Sequence, residues 1–175
     1  MEVLEAIKTV LAVREFQEKV VPHETVKEII EAARLTGSSM NGQPWHFIVV
    51  QDRDSLTELG NLVSSGPYNS QASFAIAVGI DKRSEYGVSD ASRAIQSMVL
   101  AAWSAGVGSN WTGWKGMKNV ASFLNVPESI DIIAVLPFGY PKREKSSGIK
   151  KRKNTSEIAH REKFGTRFNL TNISA

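Results

Sequence analysis

Residues 38–47 read "SSMNGQPWHF". Ser38, Ser39, Asn41 and Gln43 crowd polar side chains around Gly42, then a Pro44–Trp45 pair leads into the β-branched and aromatic run "HFIVVQ" at 46–51, which predicts a strand. On the other side, Val26, Ile29, Ile30 and Ala33 fall at helical spacing over 24–36, with Pro22 and His23 before them and Gly37 as a stop signal. The polar stretch is therefore a loop between a helix and a strand, and the question is what its hydrogen-bonding groups face.

Outward from this loop, Val3, Ile7, Val10 and Leu11 predict an N-terminal helix with an inward apolar face. After the strand, "DRDSLTELGNLV" predicts a helix capped by Asp52 or Asp54, with Leu56, Leu59 and Leu62 inward. The turn-rich "SSGPYNSQ" separates it from a buried strand at 73–80. Residues 89–105 predict a long helix, capped by Ser89 or Asp90 and apolar on nearly every face after Ala94. It stops at Gly106 and Gly108. A short helix with Val120, Phe123 and Leu124 inward follows, then a strand at 130–140. Beyond Pro141 periodicity fades except in "TSEIAH", so residues 1–140 are expected to form the core and 141–175 a basic, mostly extended tail of the same domain.

The totals describe one globular domain: 175 residues, 42% hydrophobic and 22% charged, with 21 Lys+Arg against 18 Asp+Glu. Much of the positive excess lies in "KREKSSGIKKRK" at 142–153. The absence of cysteine excludes disulfides, thiolate nucleophiles and Cys-ligated zinc. His23, His46 and His160 lack metal-ligand spacing, so no metal is expected. No apolar run is long enough to span a bilayer, and the N-terminus lacks a secretory pattern. A cytoplasmic protein is expected. The cluster "KKRK" has no interleaved aromatic platform, which favours a solvated basic segment over a nucleic-acid contact.

Gly106-Val-Gly108 follows a helix and lacks the third glycine of a dinucleotide fingerprint. Neither a phosphate loop, a nucleophile elbow nor a buried carboxylate pair is evident, a pattern that suits chemistry carried by a cofactor. Trp45, Trp103, Trp111 and Trp114 are each as suited to a core or interface as to ligand stacking.

The stretch from "VREF" through "GSSMNGQPWHFIVV" resembles the FMN-dependent nitroreductase family, whose usual form is Arg-Arg-Ser-x-Arg-x-Phe, then Val-Pro, a helix and Ser-x-x-Asn-x-Gln-Pro-Trp. "DASRAIQSMVLAAWSAGVGSNWTG" is similar to the family's central helix and its Gly-rich end, and "LPFGYPKRE" with "KKRKNTSEIAH" to its closing strand and tail. The resemblance implies an α+β fold with a central mixed or antiparallel sheet flanked by helices, and an obligate homodimer whose C-terminal tail lies on the partner. It also implies FMN at the interface, with NAD(P)H as co-substrate and a small acceptor such as a nitroaromatic or quinone, in a ping-pong exchange. Ser38, Ser39 and Asn41 match the loop that reaches the partner's flavin; Arg14 and Arg152 match basic residues near the phosphate; Trp111, Thr112 and Gly113 match the segment passing the isoalloxazine ring. No catalytic side chain is expected.

One departure stands out. Where relatives read Arg-Arg-Ser-x-Arg, this chain has Val10-Leu11-Ala12-Val13-Arg14. A hydrogen bond to a charged group is worth about 1.5–3 kcal/mol, so losing one weakens FMN very roughly ten- to a hundredfold unless Lys151, Arg152 or Lys153 compensates. A flavin-binding or flavin-sensing protein without turnover, and another flavin chemistry such as dehalogenation or flavin cleavage, are the alternatives.

Overall fold

The computed structural model describes residues 1–63, 65–113, 117–143 and 150–168. Its sheet has four strands in the order β1-β2-β4-β3, where β1 is Trp45–Val50, β2 Phe74–Asp81, β3 Gly108–Ser109 and β4 Ile130–Gly139. Every pairing between these strands is antiparallel; among the described residues the one parallel contact is an isolated bridge from Ala12 to Ser109. The helices are α1 (Val3–Thr9), α2 (His23–Arg34), α3 (Arg53–Leu62), α4 (Gly87–Ser104), α5 (Met117–Phe123) and α6 (Thr155–Ile158). This is an α+β arrangement with helices on both faces of the sheet.

Alternation along the strands builds the two faces. Phe74, Ile76 and Val78 of β2 join Val26 and Ile29 of α2 and Met98 of α4 in one core cluster, while Ala75 and Ala77 join Leu56 and Leu59 of α3 and Val120 of α5 in the other. Phe74 lies opposite Phe138, their rings stacked 4.9 Å apart. Between Val78 and Gly79 the register slips, pairing Val78 with Ala134 but Gly79 with Ile132. The extra residue, Ile133, reverses the parity of β4, which is why Ile132 joins the α3–α5 side while Ala134, Leu136 and Phe138 face the other.

Several elements differ from the sequence expectation. α1 buries only Ala6; Val3, Leu4 and Ile7 are 69%, 61% and 48% exposed, because the chain leaves the helix at Val10 and joins the sheet edge, where the Val13 amide donates to Ser109 O at 2.9 Å. Asp52, not Asp54, caps α3, accepting the Ser55 amide at 2.9 Å. α4 begins two residues before Ser89, and neither Ser89 nor Asp90 caps it; it buries one side against α2 and the sheet and leaves Val99, Leu100 and Ala101 half-covered and Gln96 exposed. On α5, Val120 is buried and Leu124 beyond its end packs against the α3–α5 cluster, but Phe123 is 38% exposed. In the tail, residues 151–158 are exposed, and Glu157 accepts the Asn154 amide at 2.8 Å at the start of α6. Trp114 lies outside the described residues. Among those described, no helix is long and apolar enough to cross a membrane.

Candidate functional site

The loop between α2 and β1 is strained and pinned. Met40, Asn41 and Gln43 take φ values of 51°, 55° and 46°, left-handed backbone that non-glycine residues adopt at a cost. The restraint comes from α4. Asp90, 1% exposed, accepts the Ser39 amide at 3.1 and 3.2 Å and the Ser39 hydroxyl at 3.1 Å, and pairs with Arg93 one turn along. Ser38 Oγ accepts the Gln43 amide at 3.0 Å, and the Gln43 side chain donates to Asn41 O and Oδ1, each at 3.3 Å. Pro44 and Trp45 are buried and anchor the strand. Ser38 Oγ is thus engaged inside the loop and the Ser39 hydroxyl by Asp90 of α4, while Asn41 is exposed and Met40 stands 89% exposed at the loop's tip.

Beside this loop opens a cleft of about 1020 Å³, bounded by Met40, Arg83, Tyr86 and Glu128 among others, where β2 turns into α4. Arg83 has no ion partner among the described residues, and Tyr86 is 42% exposed.

The other predicted residues gather elsewhere. Arg14 follows the Ala12–Ser109 bridge on the β3 edge; its exposed guanidinium makes no hydrogen bond or ion pair among the described residues. Gly108 has room for the Val13 side chain only because it lacks a Cβ, which would lie 2.4 Å from Val13 Cγ2. On the tail, Lys150 Nζ donates to Ile7 O of α1 at 2.8 Å; burial, then the neighbouring Arg152 charge, hold its ammonium below the usual lysine range. Arg152 is exposed and, among the described residues, bonds only the carbonyl of Lys151, at 2.8 Å. Of the tail cations it is Lys150 that reaches the helix leading into Arg14.

The segment after β3 continues along the same edge. Thr112 exchanges backbone hydrogen bonds with Val135 at 2.8 and 2.9 Å, and its hydroxyl, wholly buried, donates to Val135 O at 2.7 Å. Thr112 is buried whole, with side chain and backbone both committed to β4, so this position supports the segment and presents nothing outward, contrary to the expectation that it borders a ring. The 3-10 turn Pro67–Gln71 and the residues before it brace the segment: Asn110 donates to Tyr68 Oη at 2.7 Å, Asn69 donates to Thr112 Oγ1 at 3.4 Å, and the Gly113 amide donates to Ser65 Oγ at 3.3 Å. Gly113 has φ 74°, and Trp111 is 40% exposed.

The two groups sit at opposite corners. The 38–43 loop enters β1, one edge strand, at the end where Trp45 aligns with Ile80 and, across it, Asp131; Arg14 and Trp111–Gly113 line the β3 edge, where Ser109 aligns with Phe138. At the Ser109 end, where Arg14 lies, seven residues along β4 and three strand spacings across make the diagonal roughly 25–30 Å; Thr112, opposite Val135, is four residues along, roughly 20 Å. A single chain does not bring both groups to one mononucleotide.

The sequence profile of the Nitroreductase family matches residues 11–81 and 69–140. The chain belongs to the Nitroreductase family. The match spans Arg14, the pinned loop and Trp111–Gly113, and stops short of Arg152. Among nitroreductase relatives, a provisionally named NADH dehydrogenase/NAD(P)H nitroreductase of Archaeoglobus fulgidus is 36% identical over 93% of this chain and 99% of its own. A crystal structure with the same provisional name from Bacteroides thetaiotaomicron superposes with TM-score 0.85 at 31% identity, covering 93% of this chain and 98% of its own. An FMN-dependent nitroreductase from Clostridium difficile superposes with TM-score 0.82 at 26% identity, over 92% and 99%.

Reading the sequence missed Asp90 as the residue that holds the nitroreductase loop. Its only linear signal is the Asp90–Arg93 spacing, which marks a helix-surface pair as readily as a clamp. Tyr68 and Asn69 were hidden in ordinary turn chemistry. Among the described residues no cluster of three or more His, Asp or Glu could hold a metal.

Proposed function

We propose that this protein is an FMN-dependent oxidoreductase that works as a homodimer and carries electrons from NAD(P)H to a small electron-poor acceptor, such as a nitroaromatic or quinone. The observation that carries the reading is the diagonal separation of the two half-sites. A two-fold axis places one corner of each copy beside the opposite corner of the other, completing two equivalent sites at once. The exposed Val3, Leu4 and Ile7, the half-covered face of α4, and Ile158 and Phe164 of the tail, 64% and 93% exposed, are the kind of surface a second copy covers.

The residues present suit the cofactor. Arg14 and Arg152, without carboxylate partners among the described residues, would take the phosphate through charge-assisted hydrogen bonds, at the end thinned by Val10 and Ala12. Trp111, exposed on the segment that Thr112 and Gly113 anchor, would border the ring from one copy, and Asn41 with the pinned loop from the other. Bound FMN supplies the redox chemistry, taking hydride from the nicotinamide and giving electrons to the acceptor in turn. The chain's own contribution is placement: Asp90 holds the loop in its strained form, and the cleft beside Met40 gives a small acceptor an approach.

Purified protein mixed with FMN and desalted is expected to keep near-stoichiometric flavin bands that NADH or NADPH bleaches and benzoquinone restores. Retained flavin that neither nicotinamide bleaches would leave a flavin-binding protein without turnover. Loss of all flavin on desalting would remove the assignment.

A further inference from the structure

A second cleft, of about 850 Å³, lies under the end of the sheet where β2 begins and β4 ends, between the Phe16–Val20 connector, the start of α3 and the 3-10 turn. Among the described residues its lining carries three cations, Lys19, Arg53 and Lys142, against one acid, Glu18. None of the three forms an ion pair among the described residues, although the neighbouring Arg143 pairs with Glu15 at 3.4 Å. We infer that this cleft is a binding site for a small phosphomonoester dianion, distinct from the flavin site.

The cations are held in place rather than left to wander. Lys19 Nζ rests 4.4 Å from the centre of the Tyr140 ring. Arg53 is tied by one nitrogen to Ser70 O at 2.6 Å, leaving its other N–H groups without a partner among the described residues. Lys142 is placed by its backbone, whose amide donates to Glu15 O at 2.9 Å, and its ammonium has no partner among the described residues. Neutral donors complete the set. Ser73 Oγ already accepts the Val21 amide at 2.8 Å, so its proton is left to donate, and the Gln71 amide also lines the cleft.

Arg53 is the first residue of α3, a position where the helix dipole disfavours a cation and favours an anion. A bound dianion would offset that cost, the mutual repulsion of the three cations and the surplus of two positive charges together. The cleft lies within the roughly 300–1,000 Å³ range of small-molecule sites. Neither Arg14 nor Arg152 lines it.

The test is calorimetric titration of the FMN-saturated full-length protein at low ionic strength, with inorganic phosphate in one arm and adenosine 5′-monophosphate in the other. Saturable binding is expected, weakened about tenfold or more by Arg53→Gln and by Lys142→Ala, as loss of a charged hydrogen bond predicts. Bleaching of the flavin by nicotinamide should be unchanged in both variants, which separates this site from the assigned activity. Lys142→Ala keeps the test decisive if Arg53→Gln unfolds, since the Lys142 side chain forms no hydrogen bond or ion pair among the described residues. Equal affinities would mark the phosphate group as the determinant, and tighter nucleotide binding would mark a mononucleotide; either supports the site. Absent heats, heats unchanged in both variants, displacement of FMN, or preference for a polyglutamate peptide with no response to either phosphate would overturn it.

Discussion

Asp90 directs its carboxylate at the backbone of a loop 51 residues earlier in the chain. The carboxylate is nearly inaccessible, and its two oxygens serve Ser39 and Arg93 at once, so Asp90→Asn removes charge-assisted bonds and leaves an amide group poorly matched to them. The expected loss is about 1–3 kcal/mol of stability, measured by denaturant unfolding. FMN affinity should fall with it, because the left-handed backbone at Met40 and Asn41 loses its restraint. Ser39→Ala, which removes only the hydroxyl, should cost less, since the Ser39 amide still donates.

At the scale of elements, the segment from Val10 to Phe16 positions Arg14 by running along the sheet edge. Gly108→Ala would drive a Cβ into Val13 and towards Pro141 Cγ, 3.1 Å away, so the segment should lift from β3. Overpacking of this kind costs about 1–3 kcal/mol, and FMN affinity should drop more than thermal stability suggests. Val13→Ala in the same chain should restore part of both, because it removes the atom struck first. The α3 cap gives a pH test. The Ser55 amide holds the Asp52 carboxyl below its usual range. A depressed carboxylate stabilises the fold above its unfolded value, near pH 4, and loses that contribution as pH falls through the lower folded value. Asp52→Ala should therefore destabilise the protein at neutral pH and flatten the loss of stability below about pH 4, seen as a shallower acid limb in Tm against pH.

For the whole molecule, the two-copy site predicts complementation. Arg14→Gln and Asn41→Ala should each impair flavin binding alone. In mixed dimers formed by co-refolding, one site carries both changes and the other neither, so about a quarter of the unaltered activity should return in an equal mixture. No recovery in confirmed mixed dimers would show that each site is built within one chain.

Much of the fold was legible along the chain, because helix and strand periodicity is local: β1, β2, β4 and the inward faces of α2 and α3 follow from which residues repeat at 3.6 or at 2. The α1 face and the half-covered side of α4 misled for one reason. Periodicity reports that a face is apolar, not that this same chain covers it. By itself the sequence determined the elements, the family motif at 38–45 and the polar character of the candidate site. Only the tertiary structure decided that Arg14 and Asn41 lie at opposite corners, that Thr112 turns inward and that Asp90 clamps the loop. Each of these depends on long-range pairing across the sheet, where register and strand order set distances that no local pattern encodes.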